Sequence, residues 1–183
     1  MNINYRKSLK LITLLLTSIF IATASATVYT TMYMKATPIT VSASEVRFTT
    51  GSDTSSAGGT INSAGTEIVF TGMSVAPNAT RTYTQAVNVT NFGTGNHKIT
   101  LQTYSVTGNL TGFKYINVTI FSEAGVKQGI SIRISPTLGN VTSTGQLTIG
   151  TGKIWSVQWI LVTIDSGAKT GQTVSPTMKM DVE

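Results

Sequence analysis

The sequence has no cysteine, a single histidine and few charged side chains, which make up 11% of the chain. Because no disulfide can form, stability must come from core packing, strand pairing, oligomerisation or glycans. The seven acidic residues are scattered, so neither a paired-carboxylate glycosidase site nor a calcium loop has the local density it needs. The histidine, His97, lies beside a predicted turn and is interpreted as a solvated side chain. We therefore expect no catalytic residue, no metal site and no cofactor.

Helical periodicity is also missing beyond the first 26 residues. Thr, Ser, Gly and Val are abundant there, and most segments alternate apolar and polar residues with period two. Many β-branched residues with little charge favour sheet over helix and over disorder. Roughly eight to ten short strands predict an all-β fold, an antiparallel β-sandwich or jelly roll.

The N-terminus has the three features of a secretory signal peptide. Basic residues precede an apolar run from Leu11 to about Ala22, and small residues follow it. The apolar run is shorter than the ~20 residues of a membrane-spanning helix. We therefore expect cleavage after Ala24 or Ala26, contact with the membrane only before cleavage, and a secreted, extracellular product.

Removal of the signal changes the charge of the chain. Three of the 13 basic residues leave with it, so ten remain against seven acidic residues, a net charge of +3. This charge is too mild to indicate a nucleic-acid partner. The remaining 157 residues (183 minus 26) fit one domain of ordinary size. We predict three parts: a signal peptide at 1–26, a free strand arm at 27–38 and a β-sandwich domain at 39–183.

Apolar residues at alternate positions predict where the strands lie and which side chains face the core. Residues 81–106 are predicted to form a long hairpin with its turn at Phe92–Asn96, and residues 51–66 a surface loop. A change of apolar phase predicts a bulge near Ser44-Glu45, within a strand that begins at Ile39. The predicted inward residues are Tyr83, Val87, Val89, Ile116, Val118, Ile120, Ile130, Ile132 and Ile134.

The two last predicted strands differ in character. Residues 153–164 are apolar on both faces, which predicts a central strand covered on both sides. Trp155 and Trp159 are interpreted as core residues of that strand, with an aromatic carbohydrate-binding platform as the alternative. The final strand alternates apolar and polar residues, and Pro176 predicts that it lies at a sheet edge.

Five N-x-Thr sequons, about twice the number expected by chance in so Thr-rich a chain, indicate N-linked glycans as partners of the secreted protein. A bulky glycan needs exposure, and two of the asparagines fall on the predicted outward faces of strands. The predicted glycosylation sites are Asn78, Asn88, Asn109, Asn117 and Asn140.

The segment Thr27–Ala36, directly after the predicted cleavage site, alternates like a strand and is separated from the next strand by Pro38. It is either the first strand of its own domain or a free arm that completes the sheet of a neighbouring subunit. An arm at one end and a groove elsewhere make a heterologous contact, which propagates into a filament of identical subunits. The side chains predicted to enter the neighbour are Val28, Thr30, Met32 and Met34.

Six stretches of the chain carry a family resemblance: the signal ending at Ala22–Ala26, the arm Thr27–Ala36, Val75–Asn78, the strand Arg81–Thr90, the turn Asn91–Gly93 and the strand His97–Val106. Their layout resembles the TasA/camelysin-type biofilm-matrix proteins and, more closely, their archaeal relatives that form bundling pili and threads. Pro77-Asn78 stands where the family often has Pro-Gly. The resemblance implies a jelly-roll-like subunit that assembles by donor-strand complementation through Thr27–Ala36.

Other functions stay open beside a secreted filament, pilus or biofilm-matrix subunit acting in adhesion. One is an archaeal type IV pilin-like subunit, in which Leu9–Met34 is retained as a helix after processing near Lys7-Ser8. The Thr-rich, β-branched residues after Ala26 disfavour that long helix. Another is a monomeric carbohydrate-binding or envelope module at the cell surface. An enzyme is the most remote class, because no nucleophile-elbow motif accompanies the serines.

Overall fold

A computed structural model describes residues 5, 9–10, 12–14, 44–137, 139–142, 145–164 and 171–183, with only the backbone described at 139–142. The chain divides into two compact units, Met1–Val41 and Ser42–Glu183. The described residues of the first unit are helical, and Thr13 Oγ1 donates a hydrogen bond to the carbonyl oxygen of Leu9 at 2.8 Å. Among the described residues, no helix combines the length and the apolar character required to cross a membrane.

The second unit is built from strands, which confirms the predicted all-β fold. Every strand pairing in it is antiparallel. The strands are β1 (Val46–Thr49), β2 (Gly59–Ile61), β3 (Ile68–Phe70), β4 (Thr80–Asn91), β5 (His97–Gly108), β6 (Phe113–Phe121), β7 (Lys127–Ser135), β8 (Gly139–Thr142), β9 (Gln146–Ile149), β10 (Ile154–Thr163) and β11 (Val174–Val182).

Two sheets form the sandwich. The large sheet has six strands in the order β1-β4-β10-β6-β7-β8, and the small sheet has three in the order β11-β5-β9. Strands β2 and β3 form a separate two-stranded sheet. One hydrophobic core contains buried side chains from both main sheets, which is how the facing layers of a sandwich stabilise each other.

The core follows from the period-two patterns. On β6 and β7 every predicted inward residue is at most 1% exposed, and Tyr83, Val87 and Val89 of β4 are buried as well. Ile99, Leu101 and Ile149 of the small sheet pack into the same cluster. Each such side chain contributes about 1.5–3 kcal/mol to folding when it leaves water.

Strand β10 is central, as predicted, but only one of its faces is buried. Trp155, Val157, Trp159 and Leu161 are at most 7% exposed, whereas the alternate residues Ser156 to Val162 remain partly exposed. The prediction of cover on both faces is therefore wrong. Its apolar outer residues are flanked within the sheet by β4 and β6.

The predicted hairpin at residues 81–106 is wrong. Strands β4 and β5 follow each other in the chain, but β4 pairs with β1 and β10 in the large sheet, and β5 pairs with β11 and β9 in the small sheet. The turn between them carries the chain across the sandwich. Gly93 lies in that turn, and a Cβ there would oblige the Glu45 side chain to move.

The predicted surface loop at residues 51–66 is only partly a loop. It contains β2, and Ala57 is fully buried while Thr54 is 4% exposed. Thr54 Oγ1 donates a hydrogen bond to the carbonyl oxygen of Ala86 at 2.8 Å, which fixes the segment against an irregularity in β4. Strand β3 follows this segment at Ile68–Phe70 and pairs with β2.

Candidate functional site

Strand β11 is an edge of the small sheet, as Pro176 predicted. It pairs with β5 along its length, from Val174 beside Gly108 to Val182 beside Ile99. It has nine residues, while the other edge strands of the two main sheets, β1, β8 and β9, have four each. The Phe48 amide of β1 also donates to the carbonyl oxygen of Gly65 at 2.7 Å, so part of that edge is covered. β11 is therefore the longest sheet edge in the described part of the chain.

The hydrogen bonds of β11 show which backbone groups face its free side. The carbonyl of Thr173 accepts from the Asn109 amide, and Glu183 exchanges two hydrogen bonds of 2.8 Å with Lys98. Odd-numbered residues therefore direct their N–H and C=O groups toward β5. Since these directions alternate along a strand, the even-numbered residues direct theirs away from β5. The exception is the nitrogen of Pro176, which carries no hydrogen.

The side chains of the same even-numbered residues point toward the core but are incompletely covered. Val174, Pro176, Met178 and Met180 are half-buried, whereas inward residues of β6 and β7 are almost fully buried. Beside Met178 on β5, the Thr103 hydroxyl is buried and has no hydrogen-bond partner among the described residues. The sandwich is thus less closed below β11 than below β6 and β7.

Two cavities open along this flank. The larger, about 460 Å³, lies at the start of β11 and is lined by Val174, Pro176, Phe113, Trp159 and Leu161 among others. None of the described residues that line it is charged. The smaller, about 100 Å³, lies at the other end and is lined by residues that include Phe48, Val89, Met180 and Val182. We call the free edge of β11, its inward side chains and these two cavities the β11 cleft.

The charged residues of β11 lie on the opposite face of the strand. Lys179 Nζ is 2.7 Å from Asp181 Oδ1, and Gln102 Nε2 donates to Asp181 Oδ2 at 2.8 Å. These groups face away from the core because they alternate with Met178 and Met180. An extended segment that paired with β11 would therefore meet apolar side chains in the cleft and free backbone groups at the edge.

The residues predicted to act as the donor lie outside the described part of the chain. They are Val28, Thr30, Met32 and Met34. Three further predictions also fall outside it: the cleavage positions Ala24 and Ala26, the part of the pilin-like helix Leu9–Met34 beyond residue 14, and the strand from Ile39 to Ala43. Of the predicted bulge, Ser44 and Glu45 directly precede β1.

Two predicted glycosylation sites are exposed. Asn78 lies in the turn before β4 and has a positive φ of 53°. Asn109 follows β5, and its Oδ1 accepts hydrogen bonds from the amide and the hydroxyl of Thr111 at 2.9 and 2.6 Å. Both side-chain amides are open to solvent, as attachment of a glycan requires.

The three other sequons lie in strands of the large sheet. Asn88 is half-buried and its Nδ2 donates to the carbonyl oxygen of Thr50 at 3.0 Å. Asn117 is also half-buried; its Nδ2 donates to Thr119 Oγ1 at 2.9 Å, and its Oδ1 accepts from Ser131 Oγ at 3.2 Å. Asn140 lies in β8, where only the backbone is described. At Asn88 and Asn117 the amide is already engaged within the protein.

The two tryptophans are buried in the core, and the histidine is paired with a carboxylate. Trp155 and Trp159 are each 7% exposed, and the Trp159 ring packs edge-on against Phe70 with centroids 6.0 Å apart. They present no flat aromatic platform to solvent. His97 Nε2 lies 2.7 Å from Glu45 Oε2, so the interpretation of His97 as simply solvated missed a partner 52 residues away in sequence.

The described residues contain no group of three or more His, Cys, Asp or Glu side chains placed to hold a metal ion. Neither the models of known protein families nor the curated proteins give a match to this chain. The β11 cleft is therefore the feature from which a function can be argued. Sequence reasoning found its edge strand through Pro176 but missed the cavities, because their walls come from residues far apart in the chain.

Proposed function

We propose that the chain is a secreted structural subunit of an extracellular filament. It polymerises when the segment Thr27–Ala36 of one subunit adds as a strand to the sandwich of the next. The observation that carries the proposal is the β11 cleft, a nine-residue edge with free backbone groups above an incompletely covered core. Strand addition needs these two features together, because main-chain hydrogen bonds give affinity and pockets give specificity.

The energetics favour a stable joint. Each backbone hydrogen bond contributes about 0.5–1.5 kcal/mol net, and an antiparallel partner makes several of them along β11. Burial of two methionines and a valine from the donor adds about 1.5–3 kcal/mol for each side chain. Cohesion of this kind requires no disulfide, in agreement with a cysteine-free chain.

Removal of the signal would be the event that frees the donor. Cleavage after Ala24 or Ala26 leaves Thr27–Ala36 at or next to the new N-terminus. A donor at the terminus and an acceptor at β11 form a heterologous contact, and repetition of such a contact builds a fibre rather than a closed dimer. The sequence resemblance to TasA/camelysin-type matrix proteins agrees with this assembly, and we extend it to a role in adhesion or biofilm matrix, with N-linked glycans on the subunit surface.

The proposal is tested by electron microscopy of the extracellular fraction together with sequencing of the mature N-terminus. We expect filaments whose subunits begin at Ser25 or Thr27. A mature chain that begins near Ser8 would instead favour the pilin-like alternative. Monomeric secreted protein, shown by analytical ultracentrifugation over a wide concentration range, would favour a surface-binding module and contradict the filament.

A further inference from the structure

We infer that the donor segment binds β11 in the antiparallel direction, with Val28 beside Val182 and Ala36 beside Val174. This inference rests on the proposed function and specifies the direction and register of the joint. Two observations lead to it: the alternation of residues in the two strands and the unequal cavities at the two ends of the cleft. The position at which the chain enters its own sandwich then indicates which copy supplies the donor.

The lengths of the donor and of β11, and the alternation of their residues, define the register. The donor Thr27–Ala36 has ten residues and β11 has nine. The even-numbered residues of β11 supply both the inward side chains and the free backbone groups. The even-numbered residues of the donor form its more apolar face. Pairing Val28 with Val182 places the even-numbered donor residues beside the even-numbered residues of β11. In this register Met32 lies beside Met178. Met34 lies beside Pro176.

The cavities distinguish the two directions. The larger cavity lies at the Val174 end of β11 and the smaller at the Val182 end. The large side chains of the donor, Met32 and Met34, lie in its C-terminal half, and the smaller Val28 lies near its start. Antiparallel binding places Met34 beside Pro176 at the large cavity, whose largely apolar wall is of the kind that methionine fills well, while Met32 lies beside Met178 in either direction. Parallel binding would put Met34 at the small cavity.

The tether indicates which copy can supply an antiparallel donor. Ser44, two residues before β1, lines the small cavity together with Met180 and Val182. Antiparallel binding puts Ala36 at the opposite end of β11, about 26 Å away at ~3.3 Å per residue. Residues 36 and 44 are joined by eight peptide links, which reach about 26–29 Å only when fully extended. The chain's own donor is thus almost excluded, while a donor from a second copy carries no such restraint.

Pro176 reduces the number of hydrogen bonds that the donor can make with β11. In this register the carbonyl of Met34 faces the proline nitrogen, so the joint lacks one hydrogen bond at that position. The remaining even-numbered residues of β11 can each exchange hydrogen bonds with the donor. Proline at an edge also disfavours unrelated strands, which cannot offset the missing bond with a methionine in the cavity.

Disulfide mapping tests the inference, since the protein has no cysteine of its own. Four single-cysteine variants are prepared as secreted full-length protein: Val28→Cys and Ala36→Cys as donors, Val174→Cys and Val182→Cys as acceptors. Each donor is mixed with each acceptor during assembly, oxidised, and digested for mass spectrometry. Because each chain carries one cysteine, any donor–acceptor disulfide joins two copies. The unaltered secreted protein, which has no cysteine, is the control for filament formation, and far-UV circular dichroism verifies that each variant folds.

The antiparallel register predicts disulfides in the mixtures of Val28→Cys with Val182→Cys and of Ala36→Cys with Val174→Cys, at least tenfold above the two swapped mixtures. Neighbouring strands place such pairs about 5.5 Å apart, within disulfide range. Filaments that cross-link in the swapped mixtures would overturn the direction. Filaments without a cross-link in any mixture would overturn β11 as the acceptor. Unaltered secreted protein that folds but never forms filaments would contradict the proposed function itself.

Discussion

The side chain of Asn91 donates a hydrogen bond to the carbonyl oxygen of Ile149 at 3.1 Å, and so joins the end of β4 in the large sheet to the end of β9 in the small sheet. The same Nδ2 donates to Gly95 at 2.8 Å, and the amide of Gly93 donates to Asn91 Oδ1 at 2.8 Å. Asn91 is completely buried. It therefore holds the turn that carries the chain from one sheet to the other.

Replacing Asn91 with alanine should lower the free energy of unfolding by about 1–3 kcal/mol, because buried backbone groups lose their partners. Urea denaturation followed by tryptophan fluorescence measures the change. Asn96→Ala, at an exposed position of the same turn, is the matched control and should change stability by less than about 0.5 kcal/mol. Equal losses in the two variants would show that Asn91 does not hold the crossover.

Removing side-chain volume from the core between the two sheets should destabilise the fold. Ile132 on β7 is fully buried, so Ile132→Ala should lower the free energy of unfolding by about 2–5 kcal/mol through lost burial and the cavity left behind. Val126, which is 59% exposed in the turn before β7, supplies the control Val126→Ala with a change below about 0.5 kcal/mol. A small effect at Ile132 would place β7 outside the core.

A charge in the β11 cleft should block assembly without unfolding the subunit. Met180 is only half-buried in the subunit, but strand addition would remove it from water, and a buried unpaired carboxylate costs several kcal/mol. Met180→Glu should therefore raise the concentration needed for filament formation at least about 100-fold. Light scattering measures assembly, and thermal unfolding verifies the fold.

The matched control for this charge is Thr177→Glu, on the exposed face of the same strand. It adds an identical charge to β11 but keeps it in solvent, so assembly should change little. Unaltered polymerisation of Met180→Glu, with a shift no larger than that of the control, would exclude the cleft as the acceptor.

Glycan occupancy should depend on whether each asparagine amide is exposed or is hydrogen-bonded within the protein. Asn78 and Asn109 are exposed, so peptides of the secreted protein should carry glycan mass at both positions. Asn117 shares hydrogen bonds with Thr119 and Ser131, and a transferase acting on the folded protein would have to break them. We expect Asn117 to be mostly unmodified. Bare peptides at all five sequons would contradict glycosylation altogether.

Much of the core was predictable because the alternation of apolar and polar residues within one strand shows which of its faces is buried. The isoleucines of β6 and β7 alternate so regularly that their inward direction follows from the sequence, and Pro176 identified an edge. The sheet to which a strand belongs does not follow in this way. The Phe92–Asn96 turn is compatible with a hairpin or a crossover, and the choice depends on the contact of Asn91 with Ile149, 58 residues away.

The candidate site was only half predictable for the same reason. The alternation of Val174, Met178 and Met180 indicated an inward face, but their incomplete cover depends on how many strands the small sheet contains. The larger cavity is bounded by Trp159 on β10 and Phe113 on β6 as well as by β11. Such walls arise only when distant segments pack together.

Deletion of Thr27–Ala36 tests the central claim most directly. The secreted deletion variant and the full-length protein are compared by electron microscopy and analytical ultracentrifugation at equal concentration, with far-UV circular dichroism to confirm the β fold. We expect the variant to keep its sandwich and remain monomeric, because β11 is left without a donor, while the full-length protein forms filaments. A folded deletion variant that still polymerises into fibres like those of the full-length protein would contradict assembly by strand donation.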